Sequence, residues 1–460
     1  VKIQNHITSV LPAEQAATAV ALMTGNQSLV TRQQRENYTS AGVVHILSVS
    51  GFHMALIASF IFFLVRMIFL LFPKFSQVHN TRKICAVIAM IATSGYLLIS
   101  GMAVPALRSF GMVMLALTGI ICDRRAISLH SVFWIGFILL MIRPESLVSA
   151  SFALSFCAVI ALVACYEAFY QFLQNYFLQK PKWVRYTLFP LSVVLIINMV
   201  AHFATAPIAI YHFHRYANYG ILGNLLIAPL FSFLIMPLSF CAMILMPMGI
   251  ADPLLLLIGK LLWIADMVCE RIAEFKYANV FLASLSDGGY VLFILGCLIL
   301  FVLKGRIRYV GILLILSGVS SVMFFRPPDI LISQGGQLWG FHQNQEIIFS
   351  SIKKLKSTRY AWMEAMGYNP FQKVKTNDNP EQIIKGVRIR FDGDINAPAD
   401  IVFNTQTNVQ CPDKICVSRK QLWKEGTFAV YIDNHAVSVV STAQKIKNRP
   451  WSQGFLIQEN

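Results

Sequence analysis

The chain has 460 residues, of which 56% are hydrophobic and 13% charged, with a formal net charge of +16. Soluble domains carry about 25% charged residues, and they have no use for repeated uncharged runs of bilayer-spanning length. An ordinary soluble globule is therefore excluded. The basic excess fits cytoplasmic loops and contact with anionic lipid; nucleic-acid handling would add to it without being required by it.

Residues 1–44 are polar to mildly apolar. Pro12 opens an amphipathic stretch through Leu22 that Gly25-Asn26 ends, and a short helix is predicted from Thr31 to Ser40. The second helix carries Arg32, Arg35 and Glu36, so both are expected at the membrane surface. A start at Val1 with no visible signal peptide is what a fragment or trimmed chain would show.

Ten apolar runs follow, at 46–72, 84–101, 104–121, 128–142, 147–169, 187–212, 219–247, 252–272, 289–303 and 308–325. A membrane-crossing helix needs roughly 20 apolar residues. The run 219–247 contains Pro229, Pro237 and Pro247, which suits a broken or re-entrant helix, tolerated at membrane depth where protein or a wet cavity covers it. If all ten cross, one set of loops holds Lys74, Arg82, Lys83, Arg124, Arg125, Lys180, Lys182, Arg185, Lys304, Arg306 and Arg308. The opposite short loops hold Arg143, Arg215, Arg271 and Lys276. The larger set belongs in the cytoplasm, which puts both termini outside, in the periplasm of a Gram-negative cell.

From Arg326-Pro327-Pro328 the composition changes. Residues 326–460 hold 17 Lys/Arg and 12 Asp/Glu. Strand-like stretches appear at 330–332, 345–349, 386–391, 400–403 and 427–432, several flanked by Gly, Asp or Asn. The expected fold class is an all-α polytopic membrane domain of about ten transmembrane or re-entrant helices over 45–325, preceded by surface helices over 1–44. A small soluble β-rich or α+β domain over 326–460 completes it. Seven of nine cysteines fall in or beside apolar runs, where they act as small hydrophobes. Cys411 and Cys416 lie in the polar tail; their spacing is a poor zinc signature, and a disulfide is available to them in an oxidising compartment.

Residues 41–53 (AGVVHILSVSGFH), 100–109 (SGMAVPALRS), 151–156 (SFALSF, after Arg143-Pro144) and 204–207 (ATAP) together resemble the ComEC competence-protein family of DNA-uptake channels. Residues 41–53, AGVVHILSVSGFH, are similar to the family's A-G-x-x-H-L-L-A-I-S-G-L-H, and residues 100–109, SGMAVPALRS, to S-G-x-x-x-P-A-x-R-A. The third is Arg143-Pro144 with residues 151–156, SFALSF, in which Ser151 and Ala153 stand where the family usually has a Gly and a Gln. The fourth is Ala204-Thr205-Ala206-Pro207 with Tyr211-His212-Phe213; Ala21 to Asn26 also fits. The resemblance, over about residues 15–250, implies a polytopic domain in a bacterial inner membrane that passes one DNA strand to the cytoplasm. It also implies an N-terminal OB-like domain, for which this chain has no counterpart, and a C-terminal metallo-β-lactamase-like domain. The tail resembles a shortened, divergent version of the latter. Its periplasmic placement follows from the charge count.

On one continuous helix, His45, Ser48, Val49, Phe52 and His53 would share a side. They form either a polar wall of a conduction path or a pair of interhelical bonds, with Gly51 allowing close approach. Arg108 lies one turn into a helix that Pro105 can open; it either binds phosphate or reaches back to the interface. His202 is the deepest histidine of its span. Tyr211, Phe213, Tyr216 and Tyr219 fit an interfacial aromatic belt, or could stack on unpaired bases. The predicted DNA-path set is His45, Ser48, Ser50, Gly51, His53, Pro105, Arg108, Ser155, His202 and Pro207. The tail has only His342 and His435 and lacks the H-x-H-x-D-H cluster of the metallo-hydrolases; Asp392-Gly393-Asp394 reads as a turn. No catalytic residue, metal or cofactor is expected.

Expected partners are single-stranded DNA, membrane lipids, a periplasmic DNA receptor, cytoplasmic proteins that move or protect DNA, and further copies of the chain. Two rival readings stand beside transport: a membrane-anchored hydrolase acting through the tail, and a non-conducting scaffold.

Overall fold

In lipid every backbone N–H and C=O must be satisfied within the chain, and helices achieve this. The computed structural model describes residues 2–446 except Ser50, Ala103, 124–128, Lys304, 344–345, Lys373, 395–397, 406–413 and 434–435. Of the sequence expectations, Ser50, Arg124, Arg125, Lys304, Cys411 and His435 lie outside the described residues, as does the side chain of Pro105.

Three helices open the chain: α1 (Lys2–Val10), α2 (Ala13–Thr24) and α3 (Arg32–Ser40). Then come α4 (Gly51–Leu70), α5 (Pro73–Val78), α6 (Thr81–Ile99), α7 (Val104–Ile121), α8 (Leu129–Ile142), α9 (Ala150–Leu178) and α10 (Lys182–Phe213). After a short strand β1 (Arg215–Ala217) follow α11 (Gly220–Leu230), α12 (Met236–Leu245), α13 (Asp252–Ala273), β2 (Asn279–Phe281), α14 (Asp287–Val302) and α15 (Arg308–Ser320). Five stretches are long and apolar enough to cross a membrane: His53–Leu70, Thr81–Ile99, Ala150–Leu178, Lys182–Phe213 and Gly220–Met248. Four apolar helical stretches are shorter: Ala106–Ile121, Leu129–Ile142, Asp287–Val302 and Arg308–Phe324.

The expected run 252–272 is not among these. It forms α13, an amphipathic helix whose polar positions include Lys260, Asp266, Glu270 and Arg271. Its buried face, Leu255, Ile258, Gly259, Leu262, Ala265, Cys269 and Ile272, packs with α1, α2 and α3. The run 219–247 is interrupted as its prolines suggested. Pro229 lies inside α11, and a π turn at Phe231–Ile235 joins it to α12; such wide turns absorb a missing helical hydrogen bond.

A larger departure concerns the first motif. The helix expected from residue 46 begins only at Gly51; Val44–Leu47 is a single 3₁₀ turn, and Ser48 is extended at φ −110°, ψ 140°. Ser48 Oγ donates to the His45 carbonyl at 3.0 Å, a local bond that competes with helix. His45 and His53 therefore do not share a helix face.

Glycine sets the α14–α15 hairpin. A Cβ on Gly296 would sit 2.7 Å from the Gly311 carbonyl oxygen, and one on Gly318 would sit 2.6 Å from that of Gly289. Only hydrogen at these positions lets the two backbones approach so closely.

The chain divides into two compact units, Val1–Val280 with Leu285–Met323, and Phe281–Ser284 with Phe324–Asn460. The second unit contains two sheets. One has the order β12-β11-β3-β4-β5-β6, built from β3 (Ile330–Ile332), β4 (Trp339–Gln343), β5 (Glu346–Phe349), β6 (Lys375–Thr376), β11 (Phe428–Asp433) and β12 (Ala436–Ser441). The other has the order β10-β9-β8-β7, from β7 (Glu381–Ile384), β8 (Val387–Arg390), β9 (Ile401–Thr405) and β10 (Ile415–Ser418). Helices α16 (Lys356–Ala365), α17 (Arg419–Glu425) and α18 (Thr442–Ile446) complete it. Alternating apolar residues supply the core between the sheets, where Trp339 stacks on Phe391 at 4.2 Å and Phe391 on Phe403 at 5.9 Å. The β-rich tail expected from composition is present.

Candidate functional site

The four motif segments, distant in sequence, meet in the membrane unit. The turn Ala41-Gly42, with Gly42 at φ +72°, lies against the start of α11: a Cβ on Gly42 would approach the Gly220 Cα to 2.5 Å, and one on Gly223 would collide with the Ala41 carbonyl. The His202 ring also packs against Gly220, whose added Cβ would sit 2.8 Å from its Cε1. His202 Nε2 is 3.0 Å from the Tyr216 hydroxyl. The first motif, the α10 histidine and β1 thus form one contact around Gly220.

A second contact joins the first motif to the second and third. Gly51, the first residue of α4, faces Ser109 of α7, and a Cβ there would reach within 2.7 Å of Ser109 Oγ. The neighbouring Arg108 is 3% exposed. Its Nη2 donates to the Ser151 carbonyl at 2.8 Å and to Ser151 Oγ at 2.7 Å, linking α7 to the start of α9. Its Nε and Nη1 are buried with no partner among the described residues. Below this, the Cys157 thiol donates to the Ala204 carbonyl at 3.3 Å and ties α9 to α10. The segment at 21–26 joins through Gly25, at φ +75°, whose added Cβ would lie 2.7 Å from the Ser100 carbonyl oxygen. The Leu22 carbonyl accepts the Tyr96 hydroxyl at 2.6 Å.

The predicted path residues occupy different environments. His45 is exposed, Ser48 and Gly51 are half-buried, and His53 is fully buried. Ser155 is half-buried one turn beyond Ser151 on α9, and Pro207 is buried within α10. Pro105 lies in the first turn of α7, where proline suits a helix start. A narrow crevice among Leu22, Met23, Ile57, Tyr96, Met236, Ser239, Phe240 and Met243 carries none of the predicted residues on its walls. Ser109, Ser151, Tyr216 and Gly220 were absent from the expected set. Ser151 left a trace in the sequence, because it stands where the chain departs from the family pattern and an Arg needs an acceptor.

A separate polar junction holds the first three helices to α13. Asp266 Oδ1 accepts from the Tyr38 hydroxyl at 2.8 Å and from Gln34 Nε2 at 3.3 Å, and its Oδ2 accepts from Gln15 Nε2 at 3.3 Å. Burial raises the Asp266 carboxyl above the usual Asp range, and the charge of Glu14 acts the same way, against the lowering effect of the three hydrogen bonds. Burial likewise pushes the Tyr38 phenol well above its ordinary value, helped by the Asp266 charge. Glu36 of α3 pairs with Arg215 at 2.6 Å.

In the tail, Asp392 accepts its own turn's Asp394 N–H at 3.2 Å across Gly393 at φ +80°, as expected for a turn. The Arg390 guanidinium beside Asp392 holds that carboxyl below its usual value. His342 Nε2 bonds the Tyr368 hydroxyl at 2.6 Å. Cys416 is disulfide-bonded; Cys411, its expected partner, lies outside the described residues.

A helical unit with five helices long and apolar enough to cross a membrane, whose motif segments are folded onto one another, together with a small two-sheet unit, defines a membrane protein of the competence type. The family model for the Competence protein matches residues 22–307, and the chain belongs to that family. It is 24% identical over 241 residues to ComE operon protein 3 of Bacillus subtilis, covering 52% of this chain and 28% of that protein. It is 26% identical over 228 residues to Recombination protein 2 of Haemophilus influenzae, covering 48% and 28%. It is 27% identical over 258 residues to the uncharacterised YcaI of Escherichia coli, covering 54% and 31%. The alignments thus span less than a third of each relative. No solved structure matches the chain.

Proposed function

We propose that this chain carries single-stranded DNA across a bacterial inner membrane during natural transformation. The observation that carries the reading is the junction of the family's motif segments inside the membrane unit, with the buried Arg108 guanidinium at its centre. A strand with one negative charge per nucleotide needs a hydrated, cation-lined route through the low-dielectric layer. His45, Ser48, Ser50, Gly51, His53, Pro105, Arg108, Ser155, His202 and Pro207 are assigned along that route. The sequence holds no G-x-x-x-x-G-K-[ST] phosphate loop, and the energy for transport is assigned to a source outside these residues.

The chain crosses the inner membrane several times, with the tail in the periplasm; the bonded state of Cys416 supports an oxidising compartment for it. The tail binds or scaffolds rather than hydrolyses. A periplasmic DNA receptor, cytoplasmic DNA-handling proteins and further copies of the chain are its assigned partners. The test is a transformation assay on a deletion strain, with DNA binding at the surface and entry into the cytoplasm scored separately. Entry should be lost, surface binding kept, and both restored by a plasmid copy. Unchanged entry removes the transport reading, and metal-dependent DNA hydrolysis by the purified full chain removes the non-catalytic role of the tail.

A further inference from the structure

We infer that Arg108 is a phosphate-binding group and that Ser151 is the residue that positions it; the DNA-transport reading supplies only the source of the phosphate. A guanidinium has five N–H donors and no acceptor. Two are used here, both on Nη2, by the Ser151 carbonyl at 2.8 Å and Ser151 Oγ at 2.7 Å. The donors on Nε and Nη1 have no acceptor among the described residues, although Arg108 is only 3% exposed.

Buried donors on a charged group are costly to leave unmade, and a charged side chain within a membrane domain is retained where it has a task. Buried polar atoms without protein partners point to a water or an ion that completes them. Here the missing partners are acceptors, required in more than one direction around a fixed positive charge. A phosphate group, with several oxygens on one anionic centre, meets that requirement.

Ser151 holds the guanidinium by one nitrogen, leaving the other two without an acceptor among the described residues. Its hydroxyl is an acceptor that the glycine usual at this position in the family does not provide. The phosphate could come from a DNA backbone, a lipid headgroup or free phosphate, and these sources are separable by experiment.

The purified full chain in detergent is titrated against a short fluorescent single strand, the same strand with an uncharged methylphosphonate backbone, inorganic phosphate as competitor, and phosphatidylglycerol vesicles as competitor. The wild type should bind the phosphodiester strand more tightly than the methylphosphonate strand. Arg108→Ala should weaken binding about tenfold or more and reduce the salt slope of log K by about 0.7, the loss of one single-strand phosphate contact. Arg108→Lys, which keeps the charge and guards against misfolding of the Ala variant, should weaken binding while keeping the slope. Ser151→Ala should weaken it by a smaller factor, also at constant slope, which a merely structural role would not produce.

Equal binding of the two strands, or an Arg108→Ala variant with wild-type affinity and slope, overturns the inference. Displacement of the phosphodiester strand by phosphatidylglycerol vesicles from the wild type, lost in Arg108→Ala, keeps the phosphate site and assigns it to lipid. DNA entry in cells that is lost on deletion yet indifferent to Arg108→Ala and Arg108→Lys keeps the transport reading and removes Arg108 from it.

Discussion

Tyr38 donates its hydroxyl to Asp266 over 2.8 Å, and this bond fastens α3 to α13. α13 is not among the helices that are long and apolar enough to cross a membrane. Desolvation raises the Asp266 carboxyl, with Glu14 of α2 adding to the rise and Tyr38, Gln34 and Gln15 opposing it. A carboxyl raised on folding stabilises the fold when protonated. That contribution is complete below the ordinary Asp value of about 3.9 and is lost as pH rises through the higher folded value. Thermal unfolding in detergent should therefore show a Tm that falls across this window. Asp266→Asn should flatten the dependence, and Tyr38→Phe should cost about 1–3 kcal/mol by stranding a buried acceptor. A pH profile for Asp266→Asn identical to that of the wild type would contradict this account.

The α14–α15 hairpin should be intolerant of any side chain at its contact glycines. Gly296→Leu and Gly311→Val each force apart backbones whose virtual Cβ contacts are 2.6–2.7 Å, and overpacking of this kind costs about 1–3 kcal/mol. Gly95→Ala on α6, with nothing within 4 Å, should stay within about 1 kcal/mol of the wild type. Unfolding midpoints of the three variants decide the matter; equal midpoints would mean the helices are not so close.

Gly51 and Ser109 form a pair that a second-site change can test. A methyl group on Gly51 meets Ser109 Oγ at 2.7 Å but Ser109 Cβ at 3.3 Å. Gly51→Ala should lower membrane accumulation and DNA entry, and Ser109→Ala in the same chain should restore part of both. A Gly51→Ala variant that behaves as wild type, or a defect that Ser109→Ala leaves unchanged, would separate the two helices at this point.

Cys416 should resist a membrane-impermeant maleimide in intact, outer-membrane-permeabilised cells and react after reduction. Cysteines within the membrane unit such as Cys157, buried and free, should stay unlabelled in both conditions. Labelling of Cys416 only after the inner membrane is lysed would place the tail in the cytoplasm and reverse the orientation derived from the loop charges.

Composition by itself determined that this is a membrane protein with a polar, strand-rich tail, because lipid allows few solutions to the backbone hydrogen-bonding problem. The start of α7 was legible because proline at Pro105 suits the first turn of a helix. The start of α4 was not, since the local Ser48–His45 bond competes with helix and apolar character alone does not register it. The run at 252–272 read as a candidate span, and the α13 it forms is not among the helices long and apolar enough to cross a membrane. Only the folded chain decided that Asp266 faces Tyr38 and Gln34, and that Arg108 of α7 lands on Ser151 of α9, more than forty positions away. A contact between distant segments is a property of packing that no single segment encodes.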